Sequence, residues 1–232
     1  MEPRPFTDRL KRIETSTLQD RVYGLLRDSI LKGKFHPGEQ LTIASVAETL
    51  GTSKMPVREA FQRLVTQQAL VQEQNRSFRI ADLSRREYEE VLLIRCAVEG
   101  LATRLACANA TESFLSEIRR INTEMDESID DNDHEASSAH NQSFHFAIYE
   151  QADSPNLMKI IESQWLKIGP ILGAAPVRAG GTIELFRIGC DQHWNVIKAM
   201  ERGDEQAAAE ELAGDLEKAA EWYRQHVEFE AD

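Results

Sequence analysis

The sequence lacks several features that would place it among membrane, secreted or zinc-finger proteins. In 232 residues there is no apolar run near the roughly 20 residues that a membrane-spanning helix requires. The N-terminus is polar and contains Pro3 and Pro5, so we interpret residues 1–14 as a flexible arm rather than a signal peptide. The three cysteines are widely spaced and form no paired zinc motif, which favours a cytoplasmic protein.

Charge is distributed unevenly along the chain. Residues 1–82 carry 13 Lys and Arg against 10 Asp and Glu, a net charge of +3, whereas the remaining 150 residues carry 14 against 29, a net charge of −15. A mildly basic part joined to a strongly acidic part is compatible with a DNA-binding module attached to a module that DNA does not contact. The asymmetry permits this interpretation without establishing it.

The first 82 residues contain signals for helices and short strands. Thr17 and Asp20 predict the start of a helix, Gly33 predicts its end, and a short strand is expected at Gln40–Leu41. Thr42 is expected to cap a second helix.

A third helix is the most informative segment, and Ser53 is a good N-cap for it. Its apolar stripe recurs at helical spacing and consists of Val57, Ala60, Phe61 and Leu64. Lys54, Arg58 and Gln62 lie four residues apart on another face, with Arg63 at the edge of that face. One side of the helix therefore packs, and the other offers cationic and amide groups.

Residues 70–73 and 78–81 flank a polar turn and predict a β-hairpin, with Asn75 as the turn residue. Helix, short strand, helix, tight turn, helix and hairpin is the order of a winged helix-turn-helix. We assign this domain to residues 15–82 and call it the head.

From residue 83 onward the sequence predicts helices only. Signals for the start of a helix occur at Ser84, at Thr111 and at later positions. Six helices fit an antiparallel bundle over residues 83–230, which we call the body. The protein is therefore expected to be mainly α. The fourth helix of the body is expected to end before Gly173, with a loop of small residues over 173–181.

Four polar residues of the body are candidates for a buried site. Asn141 and His145 are four residues apart and share one face of a helix, His193 lies on the fifth helix of the body, and Asp215 lies on the sixth. A lone histidine on a helix is more often a hydrogen-bonded core or surface residue than a metal ligand. The residues alone therefore favour a structural role.

The segment Pro56-Val57-Arg58-Glu59-Ala60, preceded by Leu50-Gly51-Thr52-Ser53, resembles the GntR family of bacterial regulators. The second half resembles the effector-binding (FCD) domain of the FadR-type subfamily, so the resemblance covers nearly all of residues 15–228. One departure is Gln68-Ala69-Leu70, where the family usually has a glycine at or near Ala69. The resemblance implies a homodimeric regulator, most often a repressor, that binds double-stranded operator DNA and a small-molecule effector.

In the head, the resemblance implies base contact by Arg58, further contacts near the start of the helix, and a wing that reaches the minor groove. The predicted DNA-binding residues are Ser53, Lys54, Arg58, Gln62, Arg63, Asn75 and Arg76. The alternative is an amphipathic helix with a merely solvated polar face, which the surrounding helix-turn-helix spacing and wing disfavour.

In many FadR-type domains, an Asp and a His at i and i+4 bind a divalent metal together with two further His. Here Asn141 stands at the usual Asp position, His145 and His193 match, and Asp215 stands where the third His is usual. The two departures are reciprocal, because one carboxylate is lost at 141 and one is gained at 215. The resemblance thus implies a divalent metal site that stays compatible with Zn, Ni or Mn.

Arg95 matches an arginine that in this family often faces the effector cavity, although an ordinary i, i+4 pair with Glu99 is an alternative. A metal with open positions and a buried Arg would suit a carboxylate effector. A metal-free effector cavity, a purely structural dimerisation bundle and a helical-bundle metalloenzyme stay open. No nucleophile, phosphate loop or obvious general base accompanies His145 and His193, so we expect a regulator rather than an enzyme, with no membrane partner.

Overall fold

The computed structural model of the protein describes residues 17–73, 77–178, 183–227 and 229. The head contains α1 (Leu18–Leu31), β1 (Gln40–Leu41), α2 (Ile43–Thr49), α3 (Lys54–Thr66), β2 (Leu70–Gln72) and β3 (Phe78–Ile80). The body contains α4 (Arg85–Ala108), α5 (Glu112–Asp130), α6 (His134–Gln151), α7 (Pro155–Arg178), α8 (Glu184–Glu201) and α9 (Glu205–His226). The mainly α fold, a winged helix followed by a helical bundle, is confirmed. Among these helices, none is long and apolar enough to cross a membrane.

The head is organised around the apolar side of α3. Its predicted stripe is fully buried and consists of Val57, Ala60, Phe61 and Leu64. The three strands form an antiparallel sheet in the order β1-β3-β2, and Phe78 of β3 meets Phe61 edge to face at 4.8 Å between ring centroids. The wing is thus attached to the buried face of α3, and the opposite face is left to solvent.

The step from α3 into the wing passes through a left-handed residue. Gln68 has φ of +60°, which costs an L-residue other than glycine about 1–2 kcal/mol. Ala69, the position of the departure from the family pattern, is fully buried. The left-handed conformation, which glycine adopts most easily, is therefore found at Gln68, one residue before Ala69.

The body begins with a capped helix. Ser84 and Glu87 form the predicted capping box of α4, with the Ser84 hydroxyl accepting from the Glu87 N–H and the Glu87 carboxylate accepting from the Ser84 N–H. Helix α4 packs against α6, α7 and α9. One face of α4 therefore packs into the bundle and contributes buried polar residues to the site described below.

The predicted end of the fourth body helix before Gly173 is wrong, because α7 continues to Arg178. Gly169 and Gly173 lie where α7 passes the end of α1. A Cβ on Gly169 would lie 2.6 Å from the carbonyl oxygen of Ile30, and a Cβ on Gly33 would lie 2.5 Å from the Cα of Gly173. These glycines permit backbone-to-backbone packing between head and body, and they do not end the helix.

Candidate functional site

The solvent face of α3 carries most of the predicted DNA-binding residues. Lys54, Arg58 and Gln62 are all exposed, as is Ser53 at the N-cap position. The Ser53 hydroxyl makes no capping hydrogen bond, and within the described residues the Arg58 guanidinium has no ion pair. These side chains are therefore available to DNA. Asn75 and Arg76 lie outside the described residues.

Arg63 differs from the other cations of α3. Its Nη1 is 2.9 Å from Asp20 Oδ1, and its guanidinium lies 3.7 Å from the centroid of the Tyr23 ring. Both partners belong to α1. Arg63 thus links α3 to α1 through these two contacts. Its position at the edge of the polar face did not predict this role.

A cavity of about 520 Å³ lies within the body and is lined by α4, α6, α7, α8, α9 and the end of α1. Its lining includes four residues that the sequence predicted for the metal and effector site, namely Arg95, Asn141, His145 and Asp215. The volume falls in the range of about 300–1,000 Å³ that is typical of small-molecule sites. The structure therefore brings residues of three different helices, α4, α6 and α9, to one ligand-sized space.

Three side chains at this cavity form a compact cluster. One ligand atom from each of His145, His193 and Asp215 lies within 4.8 Å of the others, and all three residues are buried. The distance between His145 Nε2 and Asp215 Oδ2 is 3.2 Å, and that between His193 Nε2 and Asp215 Oδ2 is 3.9 Å. Two imidazole nitrogens and a carboxylate oxygen are donors that transition metals favour.

The orientation of His193 leaves its Nε2 free. Asn122 donates its Nδ2 hydrogen to the carbonyl of Cys190, so its Oδ1 accepts from His193 Nδ1 at 2.9 Å. Burial lowers the pKa of His193 to about 3, and the neutral ring therefore presents a lone pair on Nε2. Within the described residues this buried nitrogen has no hydrogen-bond partner. An orphaned lone pair beside a carboxylate fits a cation.

His145 is held in place by a chain of hydrogen bonds. Tyr149 donates its hydroxyl hydrogen to Glu99, so the Tyr149 oxygen accepts from His145 Nδ1 at 3.0 Å. The Nε2 of His145 consequently faces the Asp215 carboxylate. A lone pair and a carboxylate 3.2 Å apart need a proton or a metal cation between them. Histidine ligands of metals are usually oriented by such a second hydrogen bond.

The carboxylate of Asp215 is ionised. Burial favours its neutral form, but a proton placed between it and His145 Nε2, together with neighbouring charges such as that of Arg95, outweighs this and lowers its pKa. A buried anion needs a compensating cation, and Asp215 lies at the cavity wall where one could reach it.

Arg95 both pairs with Glu99 and lines the cavity. Its Nε donates to Glu99 Oε1 at 2.7 Å, which is the predicted i, i+4 pair, and its side chain also lines the cavity. Burial opposes the charge of Arg95, but Glu99 holds its pKa above the usual value. Glu99 itself is fully buried and also accepts from Trp165 Nε1 at 3.1 Å. Arg95 is therefore a fixed, charged residue of the cavity.

Asn141 lies beside the cluster. A Cβ built on Gly189 would be 3.5 Å from Asn141 Oδ1 and 3.6 Å from Asp215 Oδ1, so both oxygens face the same glycine. Since Gly189 also lines the cavity, its missing side chain leaves space next to these two oxygens. The donor set, the orphaned nitrogen and this space fit a divalent metal.

Sequence reasoning missed the residues that orient the histidines. Tyr149 follows His145 by four residues, a spacing that could have suggested its role. Asn122 lies on α5, and nothing in the sequence connects it with His193 on α8. Trp165 and Glu99 likewise meet only in the folded bundle.

A winged helix joined to a bundle with a buried, ligand-sized cavity is the architecture of a transcription regulator that carries its own sensor domain. A family model described as "Bacterial regulatory proteins, gntR family" matches residues 18–80, and one described as "FCD domain" matches residues 90–229. The chain belongs to the gntR family of bacterial regulators, in the group with an FCD domain, and it is a regulator rather than an enzyme.

Relatives and solved structures agree with this assignment. The chain is 32% identical to the HTH-type transcriptional regulator McbR of Escherichia coli over 72% of this chain and 74% of that protein. It is 28% identical, over 87% of each chain, to the "Probable D-xylose utilization operon transcriptional repressor" of Paenarthrobacter nicotinovorans. The solved structure of E. coli McbR/YncC has a TM-score of 0.84 at 27% identity and covers 92% of this chain and 100% of its own.

Proposed function

We propose that the protein is a homodimeric, cytoplasmic repressor whose affinity for operator DNA is set by a carboxylate effector bound in the body with the help of a divalent metal. The observation that carries this proposal is the buried cluster of His145, His193 and Asp215 in a cavity that Arg95 also lines. The division at residues 15–82 and 83–230 belongs to the proposal. The Paenarthrobacter nicotinovorans relative is named as a probable repressor, which supports that direction of regulation.

DNA binding is proposed to use the exposed face of α3. Arg58 would address a base edge in the major groove, while Ser53 and Lys54 would hold phosphates at the start of the helix and Gln62 would extend the contact. Arg63 would act by holding α3 against α1. The wing would add Asn75 and Arg76, which lie outside the described residues.

The homodimer is proposed from an apolar strip on the outside of the body. Leu93, Ile94 and Leu101 of α4 are 73%, 42% and 45% exposed, and helical geometry places them with the exposed Ala97 on one face. Such a strip is typical of an interaction surface. A two-fold dimer would place two recognition helices on a near-palindromic operator.

The metal would be held by His145, His193 and Asp215, with Asn141 as a fourth and weaker ligand. When bound, it would supply positive charge and open positions for the oxygens of a carboxylate. Arg95 would add a directed hydrogen bond to the same carboxylate. Tyr149 and Asn122 would keep the two imidazole rings in the orientation that the metal needs.

The metal is tested by analysis of purified protein, which should contain about one divalent ion per chain. His145→Ala and His193→Ala should lose it and melt at lower temperature, because a bound metal stabilises the folded state. Asp215→Ala should be nearly as damaging, since it removes the only carboxylate of the set. Asn141→Ala should be milder, and Asn141→Asp should bind metal at least as tightly.

A matched control is His140→Ala, since His140 also belongs to α6 but does not line the cavity. It should leave the metal content unchanged. Metal content that stays the same in both His145→Ala and His193→Ala would refute the site. The alternative, a proton between His145 and Asp215 in a metal-free cavity, would then account for the 3.2 Å contact.

The regulatory part of the proposal is tested by operator affinity with and without a saturating carboxylate found by screening. A change in affinity is expected, because a ligand that favours one placement of the heads changes DNA binding by linkage. Equal affinities would leave the body as a dimerisation scaffold.

A further inference from the structure

One wall of the effector cavity belongs to the head. The segment Leu31–Lys34, at and just after the end of α1, lines the cavity together with the helices of the body. Its position is fixed by backbone packing, because Gly33 approaches Gly173 of α7 more closely than a side chain would permit. Backbone packing therefore places this wall directly against α7.

The same segment is attached to the helix that carries two of the candidate metal ligands. Gln142 Nε2 donates to the carbonyl oxygen of Leu31 at 2.8 Å. Gln142 directly follows Asn141 and precedes His145 by three residues, which is about 4.5 Å along the axis of α6. A ligand held at the cluster would thus lie within about one helical turn of the head.

The charges that line the cavity fall into two groups. Near the cluster, the charge of Arg95 is already balanced by Glu99. On the head segment, Lys32 and Lys34 are exposed, and within the described residues neither ammonium group has an ion pair. Glu135 is the only acidic residue besides Asp215 among the described lining residues. The wall formed by the head therefore offers uncompensated positive charge.

We propose that the segment Leu31–Lys34 is part of the effector site, and that Lys32 and Lys34 bind a second anionic group of an effector whose first carboxylate lies at the cluster. The inference rests on the proposed function and names the ligand class. Much of the remaining lining is apolar and includes Tyr88, Leu92, Leu172, Leu185, Phe186 and Leu216. Two anionic ends and an apolar middle describe an aliphatic dicarboxylate.

Such a ligand would touch both halves of the molecule at once. Effector binding would then act on the head directly at the end of α1, the helix to which Arg63 fastens α3. The connection around residues 82–86 would not have to transmit the signal alone.

The test is calorimetric titration of the full-length protein, supplied with Zn²⁺, with dicarboxylates from succinate to suberate. Each is compared with the monocarboxylate of the same chain length, such as glutarate with valerate. The best dicarboxylate should bind about tenfold or more tightly than its matched monocarboxylate, the effect of one charge-assisted contact. In the double variant Lys32→Gln, Lys34→Gln this preference should fall to about threefold or less, with monocarboxylate binding unchanged.

Lys159→Gln is the control, because Lys159 is an exposed lysine of α7 that does not line the cavity. It should keep the wild-type preference. The inference would be overturned if the double variant also preferred the dicarboxylate, or if the wild type showed no such preference. In either case the proposal of a carboxylate effector would still stand. If neither class of ligand binds, the carboxylate effector of the proposed function fails as well.

Discussion

The outer face of α3 and the inner wall of the cavity both use charged side chains, but in opposite ways. On α3, Lys54 and Arg58 are exposed and lack ion pairs within the described residues. In the cavity, Arg95 and Glu99 are buried and bound to each other and to further polar groups. Residues of the first kind are accessible to a partner from outside, whereas those of the second kind are held by one another inside the bundle.

The largest expected effect tests whether Arg95 and Glu99 depend on each other for the stability of the fold. Glu99→Ala should lower the free energy of unfolding by about 3–5 kcal/mol, because it leaves the buried charge of Arg95 without its partner. Chemical denaturation of the purified variant measures this.

The control is Glu90→Ala on the same helix, where Glu90 forms an exposed i, i+4 pair with Arg86. Exposed helical pairs of this kind contribute about 0.3–0.5 kcal/mol. Equal losses in the two variants would remove the distinction between the two regions.

The second effect concerns the open face of α3. Arg58→Ala should weaken specific operator binding by about 1–3 kcal/mol per recognition helix and leave stability unchanged, since its side chain points away from the buried stripe. Arg63→Ala should do the reverse, with a loss of stability and a smaller effect on sequence preference. Binding isotherms and melting curves of both variants decide this. Wild-type operator affinity in Arg58→Ala would refute the assignment of α3 as the recognition helix.

The third effect is the response of the metal-free protein to acid. Burial lowers the pKa of His193 from 6.5 to about 3. Between these two pH values the unfolded chain is protonated at this residue and the folded protein is not. Stability should therefore be nearly complete above about pH 6.5 and decline as the pH falls towards 3, by roughly 2 kcal/mol at about pH 5. The lowered pKa of Asp215 adds a loss at the acid end.

His193→Gln should flatten this dependence in denaturation curves measured with a chelator present. His140→Gln, a change outside the cavity, should not. A profile of the same steepness in His193→Gln would show that the acid response arises elsewhere in the body.

The smallest expected effect is that of a single phosphate contact. Lys54→Gln should reduce the slope of log affinity against log salt concentration by about 0.9 per contact and weaken binding to all sequences alike. Lys159→Gln, on the body, should not change the slope. A change of sequence preference in Lys54→Gln would instead place Lys54 at a base edge.

The sequence predicted the elements that depend on local signals. The capping pairs at Thr17 and Ser84 and the stripe Val57–Leu64 of α3 are confirmed, because both follow from spacing within one helix. The cluster of His145, His193 and Asp215 was suggested by the family resemblance and not by spacing, since its members come from three helices. His145 and Asn141 alone shared a helix.

What the sequence concealed depends on contacts between elements. Gly173 looked like the end of a helix because glycine is common there, yet it lies inside α7 where the head approaches. Arg63 stays a predicted DNA contact, but nothing in the sequence indicated that Asp20 and Tyr23 of α1 also contact it. In both cases the deciding partner is far away in sequence.

The glycine contact between Gly33 and Gly173 limits how regulators of this kind can be recombined. A winged helix taken from another protein and fused to this bundle at residue 82 would meet α7 with its own residue at the position of Gly33. Any side chain there would collide with the α7 backbone, since the nearest atom is only 2.5 Å from a Cβ at that point. The graft would also require φ of +61° at that residue. Head and bundle are thus matched surfaces, and an incoming winged helix would need a glycine at the position of Gly33 to fit against Gly173.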